Sequence, residues 1–139
     1  MAVRKSSPMK QVETKEQARV VAWSHRPAVR AALPALRWLH HSPNGGKRDA
    51  FTGGQMKALG VKPGWPDLIL PFANDTGMAG LVIEMKTSTG SLTPEQKEWL
   101  EHFRSQRYEC RVCRSAEAAR LALIEYLGAN DADLPGLDR

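Results

Sequence analysis

The chain has 139 residues, of which 42% are hydrophobic, with a formal net charge of +5 and two cysteines. This length suits one domain with a single core, and no apolar run approaches the ~20 residues that span a bilayer. The basic N-terminus lacks the apolar stretch of a secretion signal, and two cysteines do not make a disulfide scaffold. We therefore expect a globular protein of the reducing cytoplasm with no membrane partner.

The charge is divided unevenly along the chain. Residues 1–62 contain 12 Lys and Arg against 3 Asp and Glu, whereas residues 63–139 contain 8 against 12. A strongly basic half indicates a polyanionic partner, and nucleic acid is the first candidate. A basic protein without such a partner is the alternative that charge alone leaves open.

The first predicted helix covers residues 11–24 and follows a mobile basic tail, residues 1–10. Val12, Val20 and Trp23 share one face of this helix, with Glu16 at the centre of that face. A carboxylate in an apolar stripe either has a special task or lies at the wet edge of a slightly rotated helix. The pattern leaves both open.

The remaining elements alternate between short apolar runs and amphipathic stretches. Thr93 and Pro94 form a typical helix start, and the loop between residues 70 and 80 suits a hairpin. The pattern predicts an α/β fold, a mixed central sheet flanked by helices, in a domain of residues 11–128. The predicted segments are a strand at 36–41, a helix at 49–59, strands at 67–70 and 80–86, a helix at 93–106, a strand at 108–113, a helix at 116–127 and a mobile acidic tail at 129–139.

Two carboxylates and a lysine are predicted to meet at one end of the hairpin. Side chains alternate along a strand, so Val82, Glu84 and Lys86 share one face and Leu81 and its alternate neighbours share the other. If the strands pair antiparallel, Asp67 at the start of one falls beside Glu84 and Lys86 at the end of the other.

A bound cation would explain why two carboxylates lie side by side. Adjacent carboxylates repel, and a hard divalent ion such as Mg²⁺ or Mn²⁺ relieves that repulsion. Such an ion polarises a phosphoryl oxygen and acidifies a water, while a lysine offsets charge that develops on phosphate. The alternative is a solvated strand end with an ordinary salt bridge.

Four ordered blocks resemble the virus-type replication–repair nuclease (VRR-NUC) domain of the PD-(D/E)XK nuclease superfamily. They are HSPNGGKR at 41–48, GVKPGWPDL at 60–68, GLVIEMK at 80–86 and LTPEQKEWL at 92–100. The resemblance covers roughly residues 11 to 128. It implies a restriction-endonuclease-like core, and its family context implies DNA repair or the processing of phage or mobile-element DNA.

The resemblance also implies roles for individual residues. Asp67 and Glu84 match metal-binding acids, with the Met85 carbonyl as a further ligand, and Lys86 matches the catalytic lysine. Glu16 matches an acid on the first helix that often completes the metal site.

Gln96 matches a helix glutamine that faces the site. The same Thr-Pro-Glu-Gln stretch is also a capping box, in which Gln96 only bonds back to Thr93. The sequence favours the site role slightly.

Basic loop residues are candidates for phosphate contacts, although any single one can be ordinary surface charge. Neither Cys110 with Cys113 nor His40 with His41 is expected to bind a metal, because their spacing on strands directs each pair to opposite faces. The proposed DNA-binding residues are Asn44, Lys47, Arg48 and Lys62.

Together these features predict a Mg²⁺- or Mn²⁺-dependent, structure-selective DNA endonuclease. One metal site per small domain, and the resembled family, favour a homodimer that resolves four-way (Holliday) junctions. Val21, Leu121 and Ile124 could supply its interface or simply cover the sheet. An inert DNA-binding module with a nuclease fold, and a nuclease for flaps or other branched DNA, are the alternatives.

Overall fold

The structure is a computed structural model that describes residues 7–43 and 53–138. Its four strands form one sheet in the order β1-β2-β3-β4, and its helices pack around that sheet. The helices are α1 (Pro8–Ser24), α2 (Pro27–Ala32), α3 (Gly53–Ala58), α4 (Pro94–Ser105) and α5 (Ala116–Tyr126), with 3-10 turns at Pro34–Trp38 and Asp131–Asp133; the strands are β1 (His40–His41), β2 (Leu68–Leu70), β3 (Gly80–Met85) and β4 (Tyr108–Cys113).

The sheet is mixed, as the sequence predicts. Strand β2 pairs antiparallel with β1 and with β3, whereas β3 and β4 are parallel and are connected through α4. In the β2–β3 hairpin Leu68 lies opposite Ile83. The predicted α/β class and the antiparallel hairpin are therefore confirmed.

Strand β3 is buried on both faces because helices cover each side of the sheet. Leu81, Ile83 and Met85 pack into the main core with residues of α1 and α5. Val82 packs on the other side with Leu100 and other residues beneath α4. The alternation predicted for this strand is confirmed, and it leaves Glu84 on the α4 side, away from the main core.

The helices and turns of the N-terminal half differ from the prediction in their number and bounds. Helix α1 begins at Pro8, where the Ser7 hydroxyl accepts a hydrogen bond from the Lys10 backbone N–H, so the helix includes part of the predicted basic tail. Helix α2 was not predicted. Residues 34–38 form a 3-10 turn rather than a strand, because Pro34 starts the turn and directs Leu36 into the core.

The C-terminal segment, residues 129–138, packs against the domain, although the sequence predicts a tail there. The indole N–H of Trp23 donates to the Pro135 carbonyl at 2.7 Å, and the Arg26 guanidinium donates to the Gly136 carbonyl at 2.7 Å. Leu134 and Leu137 lie against the main core. The folded unit therefore extends at least to residue 138, because the acidic composition conceals two apolar anchors.

The apolar residues of α5 mostly face the chain's own core. Ile124 is buried beneath the sheet, and Val21 and Leu121 are half-buried. Ile124 thus covers the sheet and is not free for an interface. Along the residues that the structure describes, no helix is both long and apolar enough to cross a membrane.

Candidate active site

The hairpin brings Asp67, Glu84 and Lys86 to one pocket of about 410 Å³. Because Leu68 pairs with Ile83, the next position outward places Asp67 opposite Glu84. The Asp67 carboxylate is held there by the backbone N–H of Met85, which donates to it at 2.7 Å. The geometric expectation for these three residues agrees with the structure.

Glu84 is an acid in an environment that opposes its charge. Its side chain is 3% exposed. Burial, and then the negative charge and hydrogen bond of Asp67, raise the pKa of Glu84 to about 9, although the charges of Lys86 and Lys10 act in the opposite direction. In the described part of the chain, no protein donor reaches its Oε2 atom, so the hydrogen bond with Asp67 requires Glu84 itself to carry the proton. Without a cation, the carboxyl group is therefore protonated at neutral pH.

Gln96 has both of the roles that the sequence left as alternatives. Its side-chain oxygen accepts a hydrogen bond from the Thr93 backbone N–H at 2.9 Å, and its backbone N–H donates to the Thr93 hydroxyl. These two hydrogen bonds form a capping box. Its side-chain amide nitrogen donates to Glu84 Oε1 at 2.9 Å. One residue therefore starts α4 and orients the buried acid.

Lys86 lines the pocket from the end of β3 and is half-buried. Within residues 7–43 and 53–138 its ammonium forms no ion pair. The loop that follows is held by Arg114, whose guanidinium donates to the carbonyls of Thr87 and Gly90 at 2.8 and 2.6 Å. The lysine is thus positioned by the strand before it and by an anchored loop after it.

The structure does not bring Glu16 to the pocket. The Glu16 carboxylate accepts the Ala116 backbone N–H at 2.6 Å, at the start of α5, and pairs with Arg19. Glu13, almost one turn earlier, is half-buried and lines the pocket instead. The helix is rotated from the predicted orientation because Val20 and Trp23 are buried, whereas Val12 is 50% exposed.

The other predicted site residues have different positions. The Met85 side chain lies in the core, so only its backbone is available to a metal. Lys62 is exposed and lines a neighbouring cleft of about 690 Å³ rather than the acid-lined pocket. Asn44, Lys47 and Arg48 lie outside the described residues.

Several pocket residues were not predicted. His41 donates from Nδ1 to the Asp67 carbonyl at 2.6 Å, and this contact crosses from β1 to the start of β2. Lys10, Glu13 and Gln17 come from α1 at helical spacing of three and four residues. That spacing was the signal that could have identified this face of α1 in the sequence.

The oxygen atoms of this pocket fit a hard divalent cation. Among the described residues, Asp67 and Glu84 are adjacent, no protein donor reaches Glu84 Oε2, and Glu13 lines the same pocket. In the described residues no three His, Cys, Asp or Glu side chains are close enough to hold a metal by themselves. A backbone carbonyl, water or a phosphate oxygen of the substrate would have to complete the coordination.

Comparison with known proteins agrees with this geometry. The model of the VRR-NUC domain matches residues 4–117. A solved structure described as a VRR_NUC domain protein is similar, with 30% sequence identity and a TM-score of 0.69, over 86% of this chain and 91% of that one. Curated proteins show no match to the chain. The family match spans most of the sequence, and the chain belongs to the VRR-NUC family of nuclease domains.

Proposed function

We propose that this protein is a divalent-metal-dependent DNA endonuclease whose active site is the pocket of Asp67, Glu84 and Lys86. One observation carries the proposal: the buried Glu84 has an oxygen that no protein donor reaches, directly beside the Asp67 carboxylate, in surroundings that oppose its charge. Two ionised acids in this arrangement cost stability unless a cation joins them. The basic half of the sequence supports DNA as the substrate.

Mg²⁺ or Mn²⁺ would be held by Asp67 and Glu84, with the Met85 carbonyl as a further ligand, and Glu13 of α1, which lines the same pocket, would reach the ion through a bound water. When bound, the ion supplies Lewis acidity at a phosphate oxygen and lowers the pKa of a water. Glu13 replaces Glu16 in this proposal because only Glu13 lines the pocket.

The other residues of the pocket orient the two acids and neutralise charge on the phosphate. Gln96 fixes one oxygen of Glu84, which leaves the other oxygen for the cation. The Met85 N–H holds Asp67, and His41 holds the backbone of Asp67. The Lys86 ammonium donates to a phosphate oxygen, where negative charge grows as water attacks phosphorus. Departure of the 3′ oxygen would leave a 5′-phosphate on the product.

Cleavage of DNA with EDTA, Mg²⁺ or Mn²⁺ tests this proposal. Lys86→Ala is expected to reduce cleavage by at least 100-fold, in the range typical of a lost electrostatic group at a reacting centre. Lys97→Ala is the matched control, because Lys97 is an exposed lysine of α4 outside the pocket. Cleavage by Lys86→Ala at the control rate would contradict the assignment. DNA binding without cleavage by the wild-type protein would favour an inert binding module.

We further propose a homodimer that acts on four-way DNA junctions. One pocket of this kind cuts one strand per binding event, whereas a two-fold junction needs two symmetric nicks, which a C2 dimer can supply. Trp38 and Phe72, which are 52% and 39% exposed beside one apolar groove, are a more accessible surface for self-association than the buried Ile124.

Light scattering at micromolar concentration tests the dimer. A protein mass of ~15 kDa, both for the free protein and for the protein part of the DNA complex, would contradict it. Junction preference is tested by comparing a four-way junction with flaps, splayed arms and plain duplex at equal concentration. Paired nicks on opposite strands of the junction are expected. If the junction is the poorest substrate, a nuclease for flaps or other branched DNA is the better description.

A further inference from the structure

A second lysine faces the acid-lined pocket from a different element. Lys10, in the first turns of α1, lines the pocket together with Asp67, Glu84 and Lys86. Its backbone is fixed by two hydrogen bonds, one from its N–H to Ser7 and one from the Thr14 hydroxyl to its carbonyl. The position of this lysine at the pocket is therefore a property of the helix and not of a flexible tail.

The ammonium of Lys10 has no structural task in the part of the protein described here. Among those residues it forms no ion pair, and the exposed side chain does not support the core. A cation that faces a site without pairing with a protein acid is available to an anion of the substrate.

The charge balance of the pocket favours this use of Lys10. Three carboxylates, those of Glu13, Asp67 and Glu84, and one phosphodiester carry four negative charges. One divalent cation and two lysines, Lys10 and Lys86, carry four positive charges. Among the residues that the structure describes, the occupied pocket without Lys10 would keep one uncompensated negative charge, which opposes the binding of DNA.

We propose that Lys10 is a substrate-binding residue that contacts a DNA phosphate in the pocket, from the side of α1. This inference rests on the proposed function, because it takes the substrate to be DNA. It adds Lys10, as a phosphate-binding residue, to the metal-binding acids and the catalytic lysine. Helix α1 then supplies both an acid for the cation and a base for the phosphate, on neighbouring turns.

DNA binding with Ca²⁺ in place of Mg²⁺ tests the inference apart from cleavage. Lys10→Ala is expected to weaken binding about tenfold and to lower the slope of log K against log salt by about 0.9, the value for one lost phosphate contact. Lys15→Ala is the matched control, because Lys15 is an exposed lysine of the same helix outside the pocket. We expect it to change binding less than twofold, and Lys10→Arg to retain most of the affinity.

A Mn²⁺ titration, monitored by the fluorescence of Trp65 and the other tryptophans, measures metal affinity. It shows whether a variant loses only phosphate binding or also loses the metal site. Lys10→Ala should bind Mn²⁺ at least as tightly as the wild-type protein, since it removes a positive charge. Equal effects of Lys10→Ala and Lys15→Ala, weaker Mn²⁺ binding, or no DNA binding by the wild-type protein would overturn the inference. Selective loss in Lys10→Ala, in a protein that never cleaves DNA, would support the inference and overturn the proposed endonuclease.

Discussion

At the scale of single residues, the site depends on groups that have two partners at once. Gln96 binds Thr93 through its oxygen and backbone N–H, and Glu84 through its amide nitrogen. Asp67 is held by the Met85 N–H and, after burial, is the main cause of the raised pKa of Glu84. Local helix formation and active-site geometry are therefore connected through a few atoms, and substitutions can separate the two effects.

The two functions of Gln96 are separable by a pair of variants. Gln96→Glu keeps an oxygen for the Thr93 N–H but puts a carboxylate in place of the donor to Glu84, so cleavage should fall at least tenfold and stability by about 1–3 kcal/mol. Thr93→Ala should cost about 1 kcal/mol of stability and leave most of the cleavage. Urea unfolding and initial cleavage rates measure both, and parallel losses in the two variants would contradict the separation.

The raised pKa of Glu84 predicts the pH dependence of stability in metal-free buffer. Between its ordinary value of 4.5 and the folded value of about 9, the folded protein binds a proton that the unfolded chain has released. The free energy of unfolding should therefore fall by several kcal/mol as pH rises through this window. Unfolding with EDTA from pH 5 to pH 9 measures it. Glu84→Gln should flatten the curve, and an unchanged slope in that variant would assign the effect elsewhere.

At the scale of secondary structure, the orientation of α1 decides which acid reaches the pocket. The sequence places Glu16 at the centre of the apolar face, because Val12 counts as a core residue there. In the structure Val12 is 50% exposed, and Glu16 accepts the N–H of Ala116 at the start of α5. Because the exposed Val12 was counted as a core residue, the predicted buried face was centred on the wrong residues. Sequence periodicity shows which residues are apolar but not which of them are buried.

Substitution of the two acids of α1 distinguishes their roles. Glu13→Gln should reduce cleavage at least tenfold with little change in stability, because Glu13 faces the pocket without an ion pair among the described residues. Glu16→Gln should keep most of the cleavage but lose about 1 kcal/mol of stability, since it weakens a charged cap of α5. Cleavage rates and thermal unfolding measure the pair, and loss of cleavage in Glu16→Gln alone would restore the original prediction.

The loop before β2 shows which local features the sequence can and cannot predict. The Gly- and Pro-rich stretch before Asp67 indicates a loop, which the structure has. Gly64 has a φ of +87°, and a Cβ there would lie 2.6 Å from the Glu95 backbone carbon. The composition predicts a turn, but this approach to α4 depends on tertiary packing that no local pattern contains.

At the scale of the whole molecule, long-range contacts account for what the sequence could not predict. The mixed sheet, the hairpin register and the meeting of Asp67 with Glu84 follow from strand alternation and pairing. The packing of residues 129–138 does not, because an acidic segment with few apolar residues resembles a solvated tail. Its apolar anchors, Leu134 and Leu137, pack on the assembled core, and its Pro135 carbonyl accepts a hydrogen bond from Trp23, more than 100 residues away in the sequence.

Removal of residues 131–139 is therefore expected to destabilise the domain and to impair the proposed active site. The truncation breaks the Trp23–Pro135 and Arg26–Gly136 hydrogen bonds and uncovers apolar core, which should lower the free energy of unfolding by about 2–4 kcal/mol. Because the same contacts hold α1, which carries Glu13, Mn²⁺ affinity should fall as well. Asp138→Ala is the control, because its ion pair with Arg19 is exposed to solvent and contributes little to stability. Urea unfolding and Mn²⁺ titration measure both variants, and a truncated protein as stable as the control would show that the segment is dispensable.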